Sequence, residues 1–206
     1  VLPYDVLMTL ALPATHLLYL HGFRSSPQSA KARLMAERVR SECPGLIWWC
    51  PQLPPSPSKA MALLMKGIAD WPRESMAVIG SSLGGFYATW VAEQTGCRAV
   101  LLNPAVNPAR DLANHIGEQS NWHDPQERFY FQPEFVQELR ELTLPGMTRP
   151  DRYLAVIAKG DELLDWREMH ARYVGAHLHL IEGSDHGLTD FEQHLPVILA
   201  FLGPGR

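Results

Sequence analysis

The chain has 206 residues, of which 46% are hydrophobic and 19% charged, and its formal net charge is −4. That length suits one domain burying roughly 70% of its unfolded surface, and the composition excludes a disordered chain. Eighteen Lys and Arg are scattered among 22 Asp and Glu, which leaves no electrostatic footprint for nucleic acid or an anionic membrane.

The N-terminal stretch "VLPYDVLMTLALPATHLLYLHGF" is apolar but lacks a basic n-region, carries Asp5, and is interrupted by Pro3 and Pro13. It reads neither as a signal peptide nor as a membrane span. The expectation is a cytoplasmic protein without stable membrane association, with Met8 as a natural start. The three cysteines, Cys43, Cys50 and Cys97, match no metal-ligand spacing and read as idle or buried thiols.

Short β-rich runs then alternate with helical patterns. "THLLYLHG" (15–22) is a strand ending in a glycine turn, followed over 28–42 by a helix whose Ala32, Met35, Ala36 and Val39 share one face. "LIWWC" (46–50) is the second strand. Ser58 opens a helix that runs to about Asp70, where Trp71-Pro72 stops it. "MAVIG" (76–80) is the third strand, without polar alternation, as expected when both faces are covered. A helix over 83–95 leads to "RAVLLN" (98–103), halted by Asn103-Pro104. "RYLAVIA" (152–158) and "AHLHLIE" (176–182) are strands five and six, with a helix from Trp166 between them and a last helix over 189–202.

This alternation predicts an α/β fold: a compact, mostly parallel, doubly wound sheet of about six strands with helices on both faces. Residues 1–206 form one domain. Residues 105–150 are too long for a plain crossover and are expected to form a helical, lid-like insertion beside the sheet's C-terminal edge, where ligands bind in such folds.

"VIGSSLGGF" (78–86) contains Gly80-Ser81-Ser82-Leu83-Gly84, which matches the G-x-S-x-G elbow between a strand and a helix. The turn forces its central residue into a strained conformation, and the flanking glycines keep strand and helix from colliding. Only Ser82 fits that register. Centring on Ser81 would place Ile79 and Leu83 where glycines are needed, so Ser81 reads as a hydrogen-bonding neighbour.

A serine nucleophile needs a base, and the base an orienting carboxylate. His186 lies in "EGSDHGLTD", a glycine-flanked loop between strand six and the last helix, in the required chain order. The acid is expected at Asp161, just past strand five, with Asp165 as the alternative. Asp165 has its own explanation, because Asp165-x-x-Glu168 reads as an N-cap. Asp185 adjoins His186, so its side chain is expected to diverge from the imidazole. The backbone amides of Leu83 and Phe23 are the candidate oxyanion donors. His21 reads as an orienting hydrogen-bonder and not as a second base.

Other groups receive structural readings. His177 and His179 share a strand face but lack a third metal ligand. His115, His123 and Asp124 read as polar groups of the insertion, and Arg24 as a surface residue, with an anionic substrate group as its alternative partner. Trp122, Phe129, Tyr130, Phe131 and Phe135 suit an acyl pocket and lid packing equally.

Taken together, "LLYLHGFRSSPQSAKA", "IGSSLGGFYAT", "LLNPAVNP", "GDELLD" and "GSDHG" resemble the small bacterial YqiA/YcfP-type esterases of the α/β-hydrolase superfamily, over almost the whole chain after residue 15. The resemblance implies an α/β-hydrolase fold lacking the two leading strands of larger relatives, no metal or organic cofactor, and esterase or thioesterase activity. Carried over by motif, Ser82 is the nucleophile, Asp161 the acid and His186 the base. The expected function is hydrolysis of a small-molecule ester or thioester through an acyl-enzyme. Acyl-CoA thioesterase or acyltransferase chemistry is the near alternative, and a non-catalytic ligand-binding or scaffold protein the distant one.

Overall fold

The computed structural model describes residues 13–122 and 124–203. Met8 and His123, singled out above, lie outside the described residues.

Six strands form one sheet: β1 (His16–Leu20), β2 (Ile47–Trp49), β3 (Met76–Ser81), β4 (Arg98–Leu102), β7 (Tyr153–Ala158) and β8 (His177–Ile181). Their order is β2-β1-β3-β4-β7-β8, and every neighbouring pair is parallel. The central strands read as unbroken apolar runs because they are covered on both sides; all six residues of β3 and of β7 are buried.

Alternation along the strands divides the core in two. Leu17 and Tyr19 of β1, Ala77 and Ile79 of β3, and Leu154 and Val156 of β7 face one layer. There they pack on α1 (Ala30–Glu42), through Met35 and Val39, and on α7 (Phe191–Leu202), through Leu195 and Ile198. Leu18, Val78 and Ala155 face the opposite layer. It is built from α2 (Pro57–Gly67), α3 (Leu83–Thr95) and α6 (Trp166–Arg172).

The sequence places the elements closely, and three of the differences have a visible cause. α2 starts at Pro57, not Ser58, because Ser56 caps it and accepts a hydrogen bond from the Lys59 amide at 3.3 Å, with Pro57 in the first helical position. It ends at Gly67, short of Asp70. α7 starts at Phe191, because Thr189 is held outside it by two hydrogen bonds to the Asp185 carboxylate.

The third difference is a correction. The insertion is not wholly helical: alongside the short helices α4 (Pro108–Asp111) and α5 (Pro133–Glu141) it contains an antiparallel ribbon, β5 (Gly117–Ser120) with β6 (Arg128–Phe131). "RFYF" alternates as a ribbon strand should, with Phe131 buried, Tyr130 exposed and Phe129 partly buried.

The strand order also locates the site. The chain leaves β1 toward β2 on one side and returns as β3 on the other. The crevice beyond the carboxyl ends of β1 and β3 is therefore the topological switch point, where such sheets bind ligands.

Candidate active site

Ser82 sits between β3 and α3 with φ 56° and ψ −119°, in the left-handed region that costs a non-glycine residue free energy. The surroundings over-determine this conformation. The Ser82 amide donates to Leu102 O at 2.9 Å, and its carbonyl accepts from the amides of Gly85 at 2.9 Å and Ala105 at 3.0 Å. The flanking glycines are needed for space. A Cβ on Gly80 would lie 2.0 Å from Gly84 O, and one on Gly84 would lie 2.1 Å from Leu20 O. Helix, elbow and neighbouring strand thus meet backbone to backbone.

His186 Nε2 lies 3.0 Å from Ser82 Oγ, and His186 Nδ1 lies 2.8 Å from Asp161 Oδ2. With Nδ1–H donating to the carboxylate, Nε2 is left to accept the serine hydroxyl. The Asp161 side chain is fully buried, and its other oxygen accepts the amides of Leu163 at 2.9 Å and Leu164 at 2.8 Å. The three residues form one hydrogen-bonded line from interior to crevice.

Asp165 stands apart from that line. It caps α6 by accepting the Arg167 amide at 2.9 Å. Glu168 does not complete a capping box; it pairs instead with Arg110, at 2.7 and 2.8 Å. Asp185 turns away from the imidazole toward Thr189, as its place next to His186 suggests.

The His186 loop is fixed by groups that sequence reasoning missed. Asn103, 1% exposed and at φ 41°, donates from Nδ2 to the carbonyls of Asp185 at 3.0 Å and His186 at 3.2 Å, while its Oδ1 accepts the Ala158 amide at 2.8 Å. Glu162 accepts the His186 amide at 3.0 Å. Lys31 of α1 donates to Gly187 O, and Ser184 to Asp190. The one signal in the sequence was "LLNP": an amide side chain at the carboxyl end of a central strand, read above only as a strand stop.

The β1–α1 loop passes close over the serine. A Cβ on Gly22 would lie 3.2 Å from Ser82 Cβ. His21, 4% exposed, uses both ring nitrogens on backbone: Nδ1 lies 3.0 Å from Gly22 O, and Nε2 accepts the Leu53 amide at 3.0 Å. The Leu83 amide opens α3 and so has no carbonyl within the helix to serve. Phe23 and Leu83 both line a cavity of about 580 Å³, whose other walls come from the β2–α2 loop, α2, α3 and the ribbon.

The insertion is fastened to this loop. Arg24 donates from Nε to Ser120 O at 2.7 Å and lies 4.1 Å from the Trp122 ring centre, and the Trp122 amide donates back to Arg24 O at 2.8 Å. Phe23 packs edge-on against His115, Phe129 and Phe131. The aromatics therefore divide: Phe129 lines the cavity, Phe131 packs the core with Phe135 against it, and Trp122 and Tyr130 are exposed. His179 hydrogen-bonds His194 at 3.0 Å, and His177 packs on Phe201. Cys43, Cys50 and Cys97 are free thiols. Among the described residues, no helix is long and apolar enough to cross a membrane.

Comparison with known proteins agrees with this architecture. A UPF0227 protein of Serratia proteamaculans (strain 568) is 23% identical over 188 residues, covering 90% of this chain and 97% of the relative. Among solved structures, mouse alpha/beta hydrolase domain-containing protein 10 superposes with a TM-score of 0.67 at 15% identity, covering 91% of this chain and 89% of that one. The Pyrococcus furiosus esterase Pf2001 does so with a TM-score of 0.60 at 16% identity, covering 92% and 80%. The fold is that of the α/β hydrolases. The model of the uncharacterised protein family UPF0227 matches residues 16–203, and the chain belongs to that family.

Proposed function

We propose that the protein is a serine ester hydrolase that works through an acyl-enzyme. The observation that carries this reading is the hydrogen-bonded line Asp161–His186–Ser82, at 2.8 and 3.0 Å, ending on a serine held at positive φ in the crevice. In this mechanism His186 takes the Ser82 proton as Oγ attacks the acyl carbonyl. Asp161 holds the imidazole in the tautomer that leaves Nε2 free to accept, and stabilises the imidazolium that forms. The amides of Leu83 and Phe23 donate to the developing oxyanion, and the N-terminus of α3 adds the positive end of its dipole. His186 then protonates the leaving alcohol or thiol and activates water to release the acid. The chemistry asks for no metal or organic cofactor.

The test is turnover of a p-nitrophenyl ester by wild type and by Ser82→Ala, together with labelling by a fluorophosphonate probe. The reading expects turnover and labelling of Ser82 in wild type, and loss of both in the folded variant. Retained turnover in Ser82→Ala overturns it. Absence of labelling in wild type would favour a ligand-binding role. Matched acyl-CoA thioesters in the same panel decide between oxygen and sulfur leaving groups.

A further inference from the structure

Tyr87 lies one helical turn beyond Leu83 on α3 and lines the same cavity. The residue is only 2% exposed, and its hydroxyl makes no hydrogen bond with any described residue. The other tyrosines buried in this layer behave differently: Tyr153 donates to Glu93, and the Tyr173 and Thr89 hydroxyls are 2.9 Å apart. Tyr19 also lacks a partner, but its oxygen is sealed in the opposite layer, where its ring packs on Trp48.

The Tyr87 hydroxyl is open to the cavity, so a group that displaces water from it has to offer an acceptor in return. Burial and the nearby Glu138 charge hold the phenol well above the usual tyrosine range, so the group is an O–H donor at any working pH. Glu138 is otherwise engaged, its Oε2 accepting from Ser56 Oγ at 2.8 Å and from the Ser58 amide at 2.9 Å. The cavity has apolar walls at Phe23, Leu53, Leu63, Leu83 and Phe129, and of its polar residues Arg24, Gln52, Asn121 and Arg128 already face Ser120, Ser25, Glu127 and Glu118. A fixed donor that no protein group satisfies asks for an acceptor on the group that enters.

That group is the acyl part. The leaving oxygen has to meet His186 Nε2 to be protonated, and neither His186 nor Gly187 is part of the cavity wall, whereas both oxyanion residues are. We propose that Tyr87 is a specificity-determining residue whose hydroxyl donates to an ether, keto or hydroxyl oxygen carried by the substrate's acyl chain. The preferred substrates are then esters of oxygen-bearing acids over those of plain hydrocarbon acids. The proposal rests on the ester hydrolase reading.

The experiment uses p-nitrophenyl hexanoate and its oxa-analogues, in which an ether oxygen replaces the methylene at position 3, 4 or 5. The leaving group is the same throughout, and comparing two enzymes on one ester pair cancels intrinsic reactivity. Wild type is expected to favour at least one oxa-ester over the hexanoate by about tenfold more in kcat/KM than Tyr87→Phe does. Protection of wild type against thermal unfolding by the matching free oxa-acid, lost in Tyr87→Phe, gives a second readout that needs no turnover. The same ratio in wild type and Tyr87→Phe for every ester pair overturns the proposal and assigns the hydroxyl to water. Failure of the hydrolase reading looks different: wild type turns over none of the esters, or Ser82→Ala turns over all of them.

Discussion

Lys31, on the first helix, donates its ammonium to the carbonyl of Gly187, the residue that follows His186. Burial lowers its pKa to about 8, partly offset by the charges of Asp185 and Asp161. The unfolded chain, with a lysine pKa near 10.5, binds more protons than the folded one between pH 8 and 10.5. Stability contributed at this site therefore rises with pH across that window. Replacing Lys31 with Met removes the titration. The melting temperature of Lys31→Met minus that of wild type should fall as pH is raised from 7.5 to 10.5, followed by differential scanning calorimetry. A flat difference would remove the buried charge from the account. Loss of the tie to Gly187 should also lower kcat by about tenfold to hundredfold, because the imidazole is then held less tightly.

Asp161 and Asp165 are four residues apart and face different tasks. Asp161→Asn keeps the shape but disturbs the tautomer that leaves Nε2 as acceptor, and kcat should fall by about 10⁴-fold. Asp165→Ala removes only the cap on the Arg167 amide, costing about 1 kcal/mol of stability with activity retained. Esterase assays and urea titrations of the two variants check both statements. The opposite pattern would move the acid to Asp165.

The contrast between these two carboxylates also shows what the chain discloses locally. The fold was readable because its strands are continuous apolar runs separated by helical periods, and the elbow at Ser82 was readable because only one register puts glycines at both flanking positions. Asp165 was explicable from the residues after it. Glu162, Lys31 and Tyr87 carried no such local mark, and Asn103 only its place as an amide at the end of a strand. They gather around the crevice only once β1, β3, β4 and β7 lie side by side, and that juxtaposition belongs to the sheet order, not to any window of sequence. The ribbon in the insertion is a different case. Its alternation of Phe129, Tyr130 and Phe131 was visible, but a four-residue strand inside a proline-rich stretch is too short to outweigh the helical pattern after it.

Gly84 and Gly45 make a paired test of packing. A Cβ on Gly84 would meet the carbonyl oxygens of Leu20 at 2.1 Å and His21 at 2.7 Å, both backbone atoms that cannot swing aside. Gly84→Ala should destabilise by about 3 kcal/mol and lower activity by displacing the elbow. A Cβ on Gly45 meets nothing within 4 Å, so Gly45→Ala should change stability by less than about 0.5 kcal/mol. Urea midpoints measured side by side decide it. Comparable midpoints for the two variants would mean that β1 and α3 are less closely apposed.

His21 offers the sharpest test of the oxyanion assignment. The Gly22 carbonyl and the Phe23 N–H are opposite ends of one planar peptide group. Fixing the carbonyl on His21 Nδ1 therefore fixes the direction in which the Phe23 amide points, and Nε2 anchors the ring by accepting from Leu53. In His21→Leu both ties are gone. The Leu53 amide is left without its acceptor, at a cost of about 1–3 kcal/mol of stability. The released peptide should lower kcat by about 10²-fold with little change in KM, since the amide matters most when the carbonyl oxygen becomes charged. A tetrahedral boronic acid inhibitor separates this from general loosening of the site. Its affinity should fall in parallel with kcat/KM, while affinity for the planar product acid holds. Equal weakening of both ligands would assign His21 to cavity structure alone and leave the Phe23 amide without its support.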